Sequence, residues 1–513
     1  MRFEDLQIQV TQLPGAMPVW HGCVDADQWR EACLHVRDAG GRLVALWGTD
    51  DTDRGAALCV HVALAWQSRL MVLSLPAAKG SYPDIAAIFP SANRMQRAVH
   101  DLLGLRADGA VDQRKWLRHA AWQENTFPLR RDFDDAATCT NGVDAYPFVK
   151  VEGEGVHEIP VGPVHAGTIE PGHFRFSVVG EGVLKLEERL GYKHKGIEKR
   201  FESMTLAQGA RLAGRVSGDS TVAYAWAYAM AVEGVTGISP PPRALWLRAL
   251  FLERERIGQH LWDLGYMGND AGLAFGLAQF SRLREDMLRT NAALFGHRYL
   301  MDVICPGGVA RDVDADGIDR IRHELKEIAK TVVTLRAIYI DHAGLQDRFV
   351  DCGRIRQDHA ARLGLGGLAG RASGVACDLR AQIPSSPYDE LGLNMVVRTG
   401  GDVAARATVR ADEIVESLRL IERILSNLPS SDIWIQTPDA PEYAFGVGWV
   451  EGWRGEVLIA LETGAANRIR RCHPHDPSWQ NWPLLERAVL GNIVPDFPLI
   501  NKSFNLSYSG QDL

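Results

Sequence analysis

Six long stretches, at about 197–214, 219–235, 240–263, 275–297, 315–342 and 403–427, carry apolar residues at three- and four-residue steps. That period commits most of the second half of the chain to helices sharing one buried core. Leu418-Arg-Leu-Ile-Glu-Arg-Ile-Leu, in the last stretch, is an amphipathic face. The first part reads differently. Leu43-Val-Ala-Leu-Trp, Ala57-Leu-Cys-Val-His-Val-Ala-Leu and Leu70-Met-Val-Leu-Ser-Leu are short apolar runs bounded by Gly, Asp and Pro, as strands are. Ser91 to Leu103 has helical periodicity and stops at Gly104. The expected organisation is an α+β domain over residues 1–135, a polar linker over 136–158, and a mainly α bundle with small peripheral β-sheets over 159–513. Phe174-Arg-Phe-Ser-Val-Val, Gly182-Val-Leu-Lys-Leu-Glu and residues 443–470 supply the strands of that second part.

Composition excludes several classes. The 513 residues carry a formal net charge of −8, which gives no electrostatic reason to expect nucleic acid as partner. The longest apolar run, 221–232, is too short to span a bilayer, and the first residues alternate charge, unlike a secretory signal. A cytoplasmic chain that docks on a membrane complex without entering the bilayer is the expectation. The eight cysteines are scattered, with no Cys-x-x-Cys pair, so the chain has no self-contained thiolate cage for zinc or an iron–sulfur cluster.

Two blocks resemble known families. Tyr82-Pro-Asp-Ile-Ala-Ala-Ile-Phe-Pro-Ser-Ala-Asn, Asp101-Leu-Leu-Gly-Leu and Phe127-Pro-Leu-Arg-Arg-Asp-Phe133 resemble the small N-terminal subunit domain of respiratory complex I, found fused to the large subunit in formate hydrogenlyase. The second block resembles the large subunit of energy-converting nickel–iron hydrogenases, and equally the quinone-site subunit of complex I. Its motifs are Gly162-Pro-Val-His, Glu170-Pro-Gly-His-Phe-Arg, His194-Lys-Gly-Ile-Glu-Lys, Glu255-Arg256 with His260, Gly307-Gly-Val-Ala-Arg-Asp, Gly370-Arg-Ala-Ser-Gly and Arg398-Thr-Gly-Gly-Asp. The resemblance implies a hydrogenase-large-subunit-like helical bundle with small peripheral β-sheets.

Against that pattern the metal ligands are missing. Arg215-Val-Ser-Gly-Asp-Ser220 stands where the hydrogenases have Arg-x-Cys-Gly-x-Cys, and Asn505-Leu-Ser-Tyr-Ser-Gly510 where they have Asp-Pro-Cys-x-x-Cys. The vacant ligand positions are Ser217, Ser220, Ser507 and Gly510. Neutral hydroxyls are hard, weak donors beside thiolates, and glycine has no side chain at all, so no nickel–iron centre is expected. The chain stops three residues past Gly510, where a matured hydrogenase is expected to end. The tyrosine and histidine that complex I places at its quinone site align here with Gly218 and Ile169, while Asp219, Tyr508 and His165 are candidates for lining a different polar cavity.

Each candidate residue has a plainer reading beside the functional one. Glu198 matches a proton-relaying glutamate, or is an ion-pair partner of Lys195, Lys199 or an arginine. Lys195, Arg215 and His260 are placed by the resemblance near the iron–sulfur cluster of an adjoining subunit. Otherwise Arg215 pairs with Asp219 and His260 is a satisfied helix histidine. Ser217 and Ser220 are candidate N-caps for the helix starting near Thr221. Arg398, Asp402, Arg406 and Arg410 form an expected ion-pair network and Arg371-Ala-Ser-Gly an expected tight turn; His473 and His475, flanking Pro474, are candidate metal ligands, with a surface loop the expected reading.

The resemblance implies a cytoplasmic-arm subunit of a complex I-related oxidoreductase, peripheral on the cytoplasmic side of the inner membrane. It binds no cofactor itself; NAD binding belongs to the complex. It takes electrons from the 4Fe-4S cluster of a hydrogenase- or complex I-type small subunit, beside complex I-type membrane subunits and a ferredoxin-like subunit, and passes them to a quinone or another small acceptor. The alternative is a non-catalytic coupling scaffold of an ion-transporting complex.

Overall fold

A computed structural model describes residues 8–120, 122–134, 142, 145–164 and 169–513. The three apolar runs of the first part become Arg42–Thr49, Cys59–Trp66 and Arg69–Pro76, an antiparallel set to which Val19–Cys23 adds in parallel and Thr11–Gln12 at the edge. The helix Ala26–Asp38 starts at a capping box, in which Asp25 accepts from the Gln28 backbone and Gln28 answers to Asp25. The helix Ala92–Leu103 ends at Gly104, whose φ of +76° is the left-handed stop the sequence predicts.

The second part is a bundle whose central members are Thr221–Thr236 and Pro242–Asp270. Nearly every residue of Thr221–Thr236 is buried, so it is a core helix with no polar face. It lies on the antiparallel sheet Phe445–Glu451, Glu456–Thr463 and Ile469–His475. The approach is close enough that a Cβ at Gly448 would sit 1.8 Å from the Ala227 carbonyl oxygen. The same sheet receives the N-terminal unit. Trp47 stacks on His473 with centroids 5.2 Å apart, and the Arg471 guanidinium donates to the Gly48 carbonyl at 3.0 Å.

Several expectations change. The stretch 197–214 is two helices, Ile197–Phe201 and Leu206–Ala213, broken where Ser203 has φ +67° and Thr205 opens a new capping box with Gln208. His473 and His475 belong to a buried strand, not a surface loop. Arg371 lies on the short helix Gly367–Ala372; only Gly374, with φ +84°, has the turn geometry. Strand Val156–Val161 begins inside the expected linker, and Tyr146 is pinned there by the Arg97 guanidinium at 2.7 Å. Arg398, Asp402, Arg406 and Arg410 do not pair with one another. Arg398 meets Asp412, Asp402 caps the helix Val403–Ser426, Arg406 holds Ser503 at 2.8 Å, and Arg410 holds Asp263 at 2.9 Å.

Candidate functional site

A cavity of about 410 Å³ opens between the turn before the core helix and the C-terminal segment, with Ser217, Gly218, Asp219, Ser507 and Tyr508 in its wall. Chain segments about 290 residues apart meet here because Ser217 and Ser507 hydroxyl oxygens lie 2.8 Å from each other. The Ser217 hydroxyl donates to Asp219 at 2.7 Å, so Ser507 supplies the proton of the serine–serine bond. Ser507 in turn accepts from the Gly510 amide at 2.8 Å and caps the last helix, Tyr508–Asp512. Neither Ser217 nor Ser220 caps the core helix with its side chain, contrary to expectation.

Asp219 is paired with Arg454, not with Arg215. Burial works to raise its pKa, but the adjacent guanidinium outweighs it and holds the carboxyl below its ordinary value. The same guanidinium reaches the Ser220 hydroxyl at 3.1 Å and the Asn505 carbonyl at 2.5 Å, tying both ligand-position segments together. Arg215 points away to Asp302 at 2.6 Å on the exposed side.

At the fourth position, a Cβ on Gly510 would lie 2.4 Å from a carboxylate oxygen of Asp476. Asp476 is fixed there by the Tyr224 hydroxyl at 2.7 Å and the Ser478 amide at 2.8 Å. Carboxylate thus occupies the space a side chain at 510 would need. Gly510→Ala is expected to lower unfolding free energy by about 1–3 kcal/mol through overpacking, measured by chemical denaturation; an unchanged midpoint would show that Asp476 yields freely. Among the described residues no cluster of three or more His, Cys, Asp or Glu side chains is placed to hold a metal ion.

The remaining candidates lie elsewhere. Glu198 is buried outside the cavity and accepts from Arg471 and His473, both at 2.7 Å. Burial opposes its ionisation, yet Arg471 and His473 prevail and its pKa falls to about 2. This is the arginine ion pair of the plainer reading. Lys195 donates from its ammonium to the Val216 carbonyl at 3.1 Å. Its backbone amide meets the Leu513 carbonyl at 2.8 Å, which clips this segment to the chain end. His260 is fully buried and bonded to Glu413 at 2.8 Å. His165 lies outside the described residues. Gly218 and Ile169, the positions aligned with the complex I quinone pair, both line the cavity.

Sequence reasoning missed Arg454, Lys502 and Asp476. Arg454 sits in the Gly452–Gly455 turn between two strands, and Lys502 is the one charged residue of the helix Phe497–Phe504. Glu255 enters the sequence reading only as a family match, yet it is a carboxyl that holds a proton at neutral pH. Burial, with the Asp219 charge adding to it, raises its pKa to about 8, against the pull of the Val222 and Ala223 amides.

Residues 23–138 match the respiratory-chain NADH dehydrogenase 30 Kd subunit, and residues 270–445 the 49 Kd subunit. The chain is 31% identical to formate hydrogenlyase subunit 5 of Escherichia coli (strain K12) over 483 residues, covering 92% of this chain and 85% of that one. It is 28% identical to the C/D subunit of NADH-quinone oxidoreductase from Phocaeicola vulgatus, covering 86% and 89% of the two chains. A solved structure of the membrane-bound sulfane sulfur reductase, an archaeal respiratory membrane complex, aligns with a TM-score of 0.66 and 25% identity over 70% of this chain and 99% of that one. Among the described residues no helix is long and apolar enough to cross a membrane. With 30 Kd- and 49 Kd-type regions fused in one polypeptide, the chain belongs to the family of complex I-related membrane oxidoreductase subunits that includes formate hydrogenlyase subunit 5 and the C/D subunit of NADH-quinone oxidoreductase.

Proposed function

We propose that this chain is the large-subunit member of a complex I-related oxidoreductase arm that works without a nickel–iron centre, and that its cavity receives a small electron acceptor. Electrons would come from the 4Fe-4S cluster of a partner small subunit, and complex I-type membrane subunits would couple the redox step to ion movement. A quinone is one candidate acceptor. The observation that carries this reading is the donor set. Two of the four ligand positions, Ser217 and Ser507, are hydroxyls already bonded to each other at 2.8 Å, Ser220 serves Arg454, and Asp476 fills the space at Gly510. Hydroxyl oxygens engaged in this way do not fit a thiolate-bridged metal pair.

Within this reading Asp219 and Arg454 form a fixed dipole at the cavity wall. Proton storage falls to Glu255, one helical turn before the cavity-lining Gln259, because Glu198 is held ionised by Arg471. Metal analysis of the purified intact complex is expected to find nickel far below one atom per chain, and reduced dye to yield no hydrogen, while an acceptor screen finds turnover. Stoichiometric nickel would overturn the reading.

One observation favours the scaffold alternative: the locked Glu198–Arg471–His473 cluster removes the relay that the resemblance implies. A partner small subunit lacking its cluster cysteines would decide for the scaffold, and one retaining them for electron transfer.

A further inference from the structure

The walls of the cavity carry more positive charge than their own carboxylates neutralise. Lys502 is 8% exposed, and among the described residues no carboxylate lies within 4.0 Å of its ammonium. The ammonium rests instead over the Tyr266 ring, 4.8 Å away. Arg284 enters from the neighbouring helix Ala274–Phe295, stacked 4.3 Å over Trp262 and 5.6 Å from Tyr299. Its Nε is buried and, among the described residues, has no acceptor. Three nearby carboxylates are committed: Asp219 to Arg454, Glu170 to Ser509 at 3.0 Å and to Lys193, and Asp263 to Arg410 and Asn505; Asp270 also faces Lys502, beyond 4.0 Å.

We infer that this cavity binds a small anion, with a carboxylate or other oxyanion-type group seated between Lys502 and Arg284 and the rest of the molecule against Trp262 and Tyr299. The inference rests on the reading of the cavity as the acceptor site and narrows the acceptor to an anionic class. A buried cation without a counter-charge is strongly destabilising unless a ligand supplies one. Lys502 and the half-buried Arg284, each resting on an aromatic face of the cavity wall, give that ligand both its charge partner and its surface. The Tyr508 hydroxyl, which accepts from Asn501 at 3.3 Å, has its proton available as a further donor. A neutral quinone head would leave both cations unpaired.

The test uses the whole chain, with acetate and sulfate as probe anions and duroquinone as the neutral control, followed by calorimetry and by the shift in unfolding midpoint. Saturable anion binding is expected, weakened at least about tenfold in Lys502→Met and in Arg284→Met, which corresponds to about 1.4 kcal/mol. Arg282→Gln removes an exposed charge from the same helix, paired with Asp286, and is expected to leave binding unchanged. Lys502→Met is also expected to raise the midpoint in anion-free buffer and to abolish the further rise that acetate gives the parent chain. No saturable binding of either anion, or equal binding in the two methionine variants and the parent, overturns the inference. Turnover with duroquinone in the intact complex alongside absent anion binding would sink the inference and leave the acceptor-site reading standing. Anion binding without turnover of any acceptor would do the reverse.

Discussion

Replacing Arg371 by methionine lowers the unfolding free energy by about 3–5 kcal/mol, the range for removing one partner of a buried ion pair. Arg371 is fully buried, and its guanidinium donates to Glu413 at 2.9 Å, to Glu451 at 2.7 Å and to the Cys377 carbonyl at 3.0 Å. Glu413 also holds His260 at 2.8 Å and lies 3.7 Å from Arg256. Arg256 reaches Glu253, which is bonded in turn to Arg380, Tyr388 and Ser417. The network therefore ties the helix Pro242–Asp270 to the helix Val403–Ser426, to the strand Phe445–Glu451 and to the 367–382 segment. Removing Arg371 leaves Glu413 without its main counter-charge in a space that water does not reach, while Glu451, which burial already raises to about 7, is pushed further toward its protonated form. Arg371→Met with Glu413→Gln is expected to recover part of the loss, since one of the orphaned charges goes with it. Denaturant midpoints for the two variants check this; a loss below about 1 kcal/mol would show that Glu413 and Glu451 find other partners.

The same network explains what could and could not be read from the sequence. The helices were legible because their apolar residues repeat at helical spacing, and one of them because it stops at Gly104. The break at 203–205 was not, since the Thr205 and Gln208 pair is a capping box hidden inside an apparently continuous period. His473 and His475 read as a loop because Pro474 lies between them. That proline is tolerated because Ile469–His475 is an edge strand, pairing Pro474 with Ile459 on one side only. At the site, the serine positions were legible through the resemblance. Their partners were not: Arg454 meets Asp219 across 235 residues, and nothing local in either segment announces the other. Which arginine answers which carboxylate is a property of the packed bundle, whereas spacing reports only that such charges exist.

Glu255 gives the second large effect, and its sign follows from where its proton is held. Its pKa is about 8 in the folded chain, because burial and the charge of Asp219 outweigh the two amides it accepts from, against an ordinary value of 4.5. Between those values the folded state keeps a proton that the unfolded state releases. Stability is then greatest below about pH 4.5 as far as this group is concerned, and falls as pH rises toward 8, by up to about 5 kcal/mol in all. Glu198 acts in another window: its pKa of about 2 stabilises the fold above pH 4.5, and that stabilisation is lost as pH falls toward 2. Asp512, raised to about 7 chiefly by burial, titrates alongside Glu255, so the difference between the parent chain and a variant is the quantity to read. Glu255→Gln keeps the shape of the protonated side chain and cannot ionise. Its stability is expected to match the parent near pH 5 and to exceed it by several kcal/mol near pH 8.5, read from urea unfolding across that range. A difference that stays flat with pH would mean that Glu255 is ionised in the folded chain. Asp219→Asn supplies the link to the cavity: without the neighbouring negative charge the Glu255 pKa drops, and the fall in stability that it causes ends at a lower pH. That shift, present in Asp219→Asn and absent once Glu255→Gln is added, would tie the stored proton to the charge at the cavity wall.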